Sequence, residues 1–240
     1  MLKHQFPEFF QRVNYKASLY FDIAYKQFIT DLNRYLQLDK NSILELENFK
    51  DNLFANYHIV VVFSVMTLEA FVNNYLAVCL SDDFFYSNLD KLNIKQKIEV
   101  IYNIIWEIEF DKSEILYNCI HNLIKERNEF VHSKSENLNS EWFEKNKKNI
   151  SVVVRTSADN DEQDYIQYYL RECKQRFIES YNAINTLYLF CKAVDSNDEN
   201  CHATVDILSH VAITDIRYQE IIKSEIDMEM KRLETKIRNL

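Results

Sequence analysis

The chain contains no glycine among its 240 residues, and only one proline. Glycine normally makes up roughly 7% of a protein, and it forms the tight turns of hairpins and the phosphate-binding loops of nucleotide-binding folds. The sequence therefore excludes dinucleotide-binding, P-loop and kinase-type glycine-rich loops, and it disfavours a hairpin-rich β fold. A chain almost free of both residues is most easily built from α-helices. We expect Asn and Asp to supply its left-handed helix ends.

The composition is that of a folded protein, with 47% hydrophobic and 14% aromatic residues. The sequence therefore predicts an all-α fold. We expect residues 1–155 to form a helical bundle and residues 156–240 to add C-terminal helices packed on the same bundle. The acidic segment 156–164 is the best candidate boundary. Only residues 150–155, ISVVVR, have strand character, and we expect a minor edge strand there.

Hydrophobic periodicity places the helices along the chain. The predicted helices cover residues 13–36, 42–54, 56–80, 94–108, 113–134, 164–194, 203–211 and 215–240. Residues 56–80 are apolar on nearly every side, which indicates a helix buried by its neighbours, and residues 81–93 are predicted to form a loop. The tyrosines and phenylalanines of residues 164–194 are predicted to be core or interface residues rather than base-stacking ones. The apolar seam of the last helix suits docking on a partner or on a second copy.

The cysteine content and the N-terminus predict a soluble, cytoplasmic protein. The five cysteines include no C-x-x-C pair and no standard zinc spacing, so neither a disulfide framework nor a metal site is expected. The N-terminus lacks the apolar region of a signal peptide. The longest apolar run, residues 59–70, is too short to span a bilayer. The net charge of −9 argues against non-specific nucleic-acid binding over the whole surface.

Residues 113–134, SEILYNCIHNLIKERNEFVHSK, carry the most informative pattern in the chain. Asp111 and Glu114 have the spacing of a capping box, which predicts a helix start. The apolar residues that share one face of this helix are Leu116, Cys119, Ile120, Leu123, Ile124, Phe130 and Val131. Arg127 lies near the middle of that face, where its charge needs a partner because desolvation is costly. The partner that we predict is Glu69, a carboxylate in the apolar preceding helix.

A polar stripe runs beside the apolar face of the same helix. It consists of His121, Lys125, Asn128 and His132, at i, i+4, i+7 and i+11 spacing. Arg127 and His132 lie roughly 140° apart on an ideal helix, so they converge only if the helix ends or bends, or if a second copy packs alongside. Residues 127–132, at the end of the predicted helix, have the pattern R-N-x-x-x-H.

This motif resembles the signature of the HEPN ribonucleases, all-helical domains found in toxin–antitoxin, abortive-infection and other antiviral systems. Residues 64–73, SVMTLEAFVN, also resemble the long core helix that precedes the motif in that family. The resemblance covers roughly residues 55–135. It implies an HEPN-like helical bundle, an RNA substrate, no cofactor, and a homodimer with its active cleft between two subunits. An antitoxin or a defence-system subunit is the further partner that it suggests.

The chemistry of the motif is compatible with RNA cleavage without a metal. The 2′-hydroxyl attacks the adjacent phosphorus, a histidine serves as acid or base, and an arginine binds the negative phosphorane through two hydrogen bonds. By resemblance, His132 is the acid/base, Arg127 the phosphate clamp and Asn128 an orienting residue. The residues that we add as weaker candidates are Glu69, Lys125 and His121 as supporting groups, and Lys145, Lys147 and Lys148 as contacts to the RNA backbone.

Two other interpretations remain open at this point. In one, the chain is a non-catalytic HEPN-like module that dimerises and binds a protein partner. In the other, it is an unrelated helical interaction protein. The pair of Glu69 and Arg127 likewise has two interpretations, a structural ion pair or an arginine oriented towards a phosphate. A basic cleft that solvent can reach would favour catalysis, and a buried pair without a cleft would favour the interaction module.

Overall fold

The computed structural model describes residues 6–131, 162–209 and 219–240, which form eight helices and no strands. The prediction of an all-α fold is confirmed. The helices are α1 Phe6–Gln37, α2 Ile43–Leu80, α3 Asp82–Phe84, α4 Ile94–Val100, α5 Ile115–Val131, α6 Glu162–Asn197, α7 Ala203–Leu208 and α8 Gln219–Arg238. Turns of π-helix extend α3 through Phe85–Leu89 and α4 through Ile101–Ile105. The predicted strand at residues 150–155 lies outside the described residues.

The main core lies between helices α1, α2 and α6. Helix α2 is the central one and packs on both of the others. Phe71 of α2 meets Phe190 of α6 with ring centroids 5.8 Å apart, and Tyr35 of α1 meets Phe177 of α6 at 5.2 Å. One cluster of buried residues thus combines side chains from before and after residue 156. Phe177 and Tyr169 are buried, which agrees with the prediction that the aromatic residues of this segment form core.

Helix α2 is one continuous helix, and the predicted break near residue 55 is wrong. No glycine or proline interrupts the chain there, and Asn56 does not cap a new helix. Its side chain instead donates a hydrogen bond to Asp31 of α1 at 2.9 Å. Ser42 caps the start of the helix, and its hydroxyl accepts a hydrogen bond from the Glu45 amide at 3.4 Å. By length and composition α2 is able to cross a membrane, and 56% of its most apolar stretch is buried in the protein.

The connections between helices depart from the sequence predictions in two ways. The predicted loop at residues 81–93 contains α3 and a π turn, and the helix predicted to reach residue 108 ends at Ile105. The residues with left-handed backbone in the described chain are Ser81, with φ of 82°, and Glu107, with φ of 57°. Neither is Asn or Asp, so the expectation that these types supply the left-handed positions is wrong.

A capping box is present, but it begins α4 and not α5. The Asn93 side chain accepts from the Gln96 amide, and the Gln96 side chain accepts from the Asn93 amide, each at 3.1 Å. Asp111 instead accepts from the Ser113 amide at 2.8 Å, and α5 begins only at Ile115. The predicted capping box at residues 111–114 is therefore wrong, because the turn around Asp111 closes before the helix starts.

The apolar seam of α8 docks on the chain's own bundle. Met230, Leu233 and Ile237 are buried in the main core. The hydroxyl of Tyr188 on α6 donates a hydrogen bond to Asp227 of α8 at 2.8 Å, which also joins α8 to the bundle. The seam is therefore occupied within one chain and does not serve as a docking face for a second copy.

Candidate functional site

Helix α5 packs at the edge of the bundle against α2 and α6. Its buried residues are Ile120, Leu123 and Ile124, all in the first two-thirds of the helix. Phe130 and Val131 are 45% and 51% exposed, so their predicted place in the core is wrong. The last turn of the helix lies beyond the buried part of α5, which explains why apolar periodicity alone misplaced these two residues.

The predicted contact between Glu69 and Arg127 is present at this end of α5. Arg127 Nη2 lies 3.8 Å from Glu69 Oε2, and the two side chains are 27% and 45% exposed. Arg127 Nη1 donates a hydrogen bond to Asn128 Oδ1 at 3.0 Å. The guanidinium thus reaches from the apolar side of the helix to the polar stripe. It lies at a solvent-reachable edge and not at the centre of a buried face.

The polar stripe is exposed along its described part. His121 is exposed, and its Nδ1 lies 2.7 Å from Lys95 Nζ of α4. Lys125 Nζ lies 3.6 Å from Glu129 Oε1, one helical turn away. The remaining predicted site residues, His132, Lys145, Lys147 and Lys148, lie outside the described residues. The geometry therefore covers the arginine and asparagine of the motif and the supporting residues on α2 and α5.

A group of polar side chains joins α2, α5 and α6 beneath the motif. We call Tyr57, Glu126, Arg176 and Glu179 the polar junction. Arg176 Nη1 donates to Glu179 Oε2 at 2.6 Å, and its guanidinium lies 5.0 Å from the ring centroid of Tyr57. Tyr57 accepts a hydrogen bond from Arg176 and donates one to Glu126. Burial, and secondarily the Glu179 carboxylate, raises the pKa of Glu126.

Aromatic rings cover the end of the motif helix beside the polar junction. The ring of His58 on α2 stacks on Phe130 with centroids 3.8 Å apart and planes 17° from parallel. Phe54 meets the other side of His58 edge-on at 4.8 Å. Burial lowers the pKa of His58, which keeps the imidazole neutral over more of the pH range. This stack fixes the position of the last turn of α5 relative to α2.

A groove of about 400 Å³ lies between α5 and α6 and shares Glu126 with the polar junction. Its other charged residues are Lys125 and Glu129, whose side chains pair at 3.6 Å. The groove therefore contains two carboxylates and one ammonium group. Within the described part of the chain, no group of three or more His, Cys, Asp or Glu side chains is placed to hold a metal ion.

Sequence reasoning missed the polar junction, His58 and Lys95. Glu126 gave a weak signal, since a carboxylate at the border of an apolar face needs a partner. Nothing local in the sequence joins it to Arg176, fifty residues later in the chain, or joins Lys95 to His121. These contacts depend on how three helices cross, which periodicity does not specify.

Comparison of the chain with protein-family models gave no match. Comparison with curated proteins and with solved structures gave none either. The functional proposal therefore depends on the motif residues and on the contacts described above.

Proposed function

We propose that this protein is a metal-independent endoribonuclease of the HEPN type. The observation that carries the proposal is the arrangement around Arg127. A carboxylate from the preceding core helix and the adjacent Asn128 hold its guanidinium at an exposed edge of the bundle. A guanidinium held in this way binds a phosphate through two hydrogen bonds at low entropic cost.

The proposed reaction assigns one task to each motif residue. Arg127 binds the scissile phosphate and stabilises the charge that develops on its oxygens. Asn128 holds the guanidinium from the side of the polar stripe. His132, four residues beyond Asn128 in the sequence, transfers the proton between the 2′-hydroxyl and the leaving 5′-oxygen, giving a 2′,3′-cyclic phosphate. Glu69 orients Arg127, and Lys125, which pairs with Glu129, is a supporting residue on the same helix.

The proposal includes a homodimer, in which a second copy completes the cleft. Exposed apolar side chains on α1 and α2 support this part. On α2, Ile59 and Met66 lie on the same side of the helix as Glu69 by their spacing. On the neighbouring α1, Leu19 and Ile23 are 46% and 36% exposed. Substituting glutamate for Leu19 and Ile23 together should convert the dimer to a monomer in sedimentation velocity. An unchanged dimer would place the interface elsewhere.

The test of the nuclease proposal is cleavage of end-labelled total RNA and tRNA by purified protein in excess EDTA. We expect cleavage by the wild type, loss of cleavage in Arg127→Ala and His132→Ala, and products that end in a 2′,3′-cyclic phosphate. Arg232→Ala is the matched control, because this arginine is 68% exposed on α8 and remote from the motif in sequence. Cleavage that survives in both motif variants would contradict the proposal.

A non-catalytic partner-binding module is the second candidate. The exposed Phe130 and Val131 favour it, because apolar side chains at the end of a helix are common at protein interfaces. If wild-type protein folds and dimerises but leaves RNA intact in every buffer, the partner-binding module becomes the preferred function. In either case we propose a cytoplasmic role in a toxin–antitoxin or phage-defence system, with an antitoxin or a defence-system subunit as partner.

A further inference from the structure

Two nitrogen-bearing side chains meet at the upstream end of the polar stripe. Lys95 Nζ of α4 lies 2.7 Å from His121 Nδ1 of α5. A lysine ammonium has donors and no acceptor, so in this contact Nδ1 accepts and the imidazole carries its proton on Nε2. His121 is exposed and Lys95 is partly exposed. The pair therefore presents to solvent both the remaining ammonium hydrogens and the Nε2–H group.

The charge of this pair is not neutralised by the described part of the protein. Neither Lys95 nor His121 takes part in an ion pair with a carboxylate among the described residues. The nearby Lys125 and Lys112, in contrast, lie 3.6 and 3.9 Å from the carboxylates of Glu129 and Glu99. A cation without a carboxylate partner retains its attraction for an incoming anion. The Lys95–His121 pair is therefore better suited to bind a phosphate than Lys125 or Lys112.

The backbone that carries the pair is fixed in place. The capping box of Asn93 and Gln96 begins α4 immediately before Lys95. Two residues after it, the buried Lys97 donates to Asn73 of α2 at 2.9 Å and anchors the helix. Because α4 is held on both sides of Lys95, only the side chain of Lys95 loses freedom when it binds a ligand.

The pair also lies in line with the proposed site. His121 precedes Asn128 by seven residues, which is roughly 10 Å along the helix and about 20° around it. Arg127 Nη1 contacts Asn128, so the guanidinium extends towards the same line. One strand of stacked nucleotides rises about 3.4 Å per nucleotide, so this distance corresponds to roughly three nucleotides.

We propose that the Lys95–His121 pair binds a backbone phosphate of single-stranded RNA, about three nucleotides from the phosphate that Arg127 holds. This inference rests on the proposed ribonuclease function and adds a substrate-binding position to it. The pair acts on binding and takes no part in proton transfer. It makes the enzyme select strands long enough to reach both positions.

The experiment compares Lys95→Gln, Lys95→Arg and the double variant Lys95→Gln/His121→Gln with wild type. Lys26→Gln is the control, because it removes a lysine charge on α1 that is 71% exposed and paired with Asp22. The probe is a fluorescein-labelled single-stranded RNA of about twelve nucleotides, within the usual site size of a binding module. Cleavage kinetics, and affinity as a function of salt in the His132→Ala background, are measured for each variant, with circular dichroism to verify folding.

We expect Lys95→Gln to raise KM and the dissociation constant about fivefold with kcat retained, and Lys95→Arg to restore both constants. The salt dependence of log affinity should fall by about 0.7 for the single variant and by no more for the double variant, because the neutral imidazole of His121 neutralises no phosphate charge. Wild-type constants in both Gln variants, with wild type binding and cutting the RNA, would overturn this inference and leave the nuclease proposal intact. A fall in kcat at constant KM would also overturn it. Wild type that neither binds nor cuts RNA would remove both proposals.

Discussion

Two groups of charged side chains each contain two carboxylates and one cation. One is the polar junction, and the other lies at the base of α8. The second group, the C-terminal cluster, consists of Asp195 of α6, Asp206 of α7 and Lys223 of α8. Lys223 Nζ lies 3.4 Å from Asp195 Oδ2, and burial together with the Asp195 carboxylate raises the pKa of Asp206 to about 7. In the polar junction, one guanidinium contacts a carboxylate, a tyrosine hydroxyl and two aromatic rings.

Burial is the largest cause of the raised pKa of Asp206 and of Glu126, and the two groups also differ in the shape of their cations. An arginine is a planar fork that serves several acceptors and stacks on rings, whereas a lysine is a compact point charge. Arg176 therefore ties three helices together, and the polar junction depends on that one side chain. The single lysine of the C-terminal cluster leaves Asp206 close to neutral, so the cluster depends on pH.

The largest effect that we expect comes from removing the cation of the polar junction. Arg176→Ala leaves Glu126 and Glu179 partly buried without a positive charge, and we expect a loss of about 3 kcal/mol in the free energy of unfolding. Urea denaturation measures it. The control Arg232→Ala removes an exposed arginine and should cost less than about 0.5 kcal/mol. Equal losses in the two variants would show that the polar junction contributes no more than a surface ion pair.

In the C-terminal cluster we expect a smaller change in stability, and this change is a gain. The pKa of Asp206 is raised from its ordinary 3.8 to about 7 in the folded protein, so the stability that this group contributes is lost as pH rises between these values. Asp206→Asn cannot ionise and avoids that loss. Its melting temperature should exceed that of wild type by about 4 °C at pH 8 and equal it at pH 4. A variant that melts below wild type at pH 8 would contradict this account.

A third and smaller change in stability tests whether the positive charge of Arg176 compensates the charges of Glu126 and Glu179. The pKa of Glu126 is raised from its ordinary 4.5, chiefly by burial, so Glu126→Gln should also stabilise the protein above that pH. The glutamine amide still accepts the hydrogen bond from Tyr57. Because Arg176 already compensates part of the charge, we expect a gain of only about 1–2 °C at pH 8 in calorimetry. A gain as large as that of Asp206→Asn would mean that the two cations compensate equally.

The smallest change in stability is expected at the motif itself. The side chains of Arg127 and Glu69 are partly exposed and lie 3.8 Å apart, so Arg127→Ala should alter the free energy of unfolding by less than about 1 kcal/mol. The same variant should abolish cleavage, so urea denaturation and the RNA assay separate the two properties. A loss comparable to that of Arg176→Ala would favour a structural role for the pair.

Much of the fold was predictable because it follows from local chemistry. The absence of glycine and the apolar periodicity predicted helices, and all described elements are helical. The contact of Glu69 with Arg127 was predictable for a similar reason, since each is a charge on an otherwise apolar face and needs the other. Phe130 and Val131 were misplaced because periodicity records which residues share a face and does not record where the neighbouring helices end.

The rest depended on contacts that link distant parts of the chain. Glu126 and Arg176 form the polar junction only because α5 and α6 lie side by side. The capping box shows the same limit on a local scale, because Asp111 and Asn93 both have suitable spacing to the residues that follow. The path of the chain out of the preceding turn decides between them, and a four-residue motif contains no information about that path.

The separation of α5 from α6 along the chain also sets an order of assembly during synthesis. Helices α1 and α2 are consecutive and pack on each other, so this hairpin can form early on the ribosome. Helix α5 is synthesised next, but it packs on α6 as well as on α2, and α6 begins only at Glu162. A growing chain therefore carries the complete motif before it carries α6, one of the two helices on which the motif helix packs.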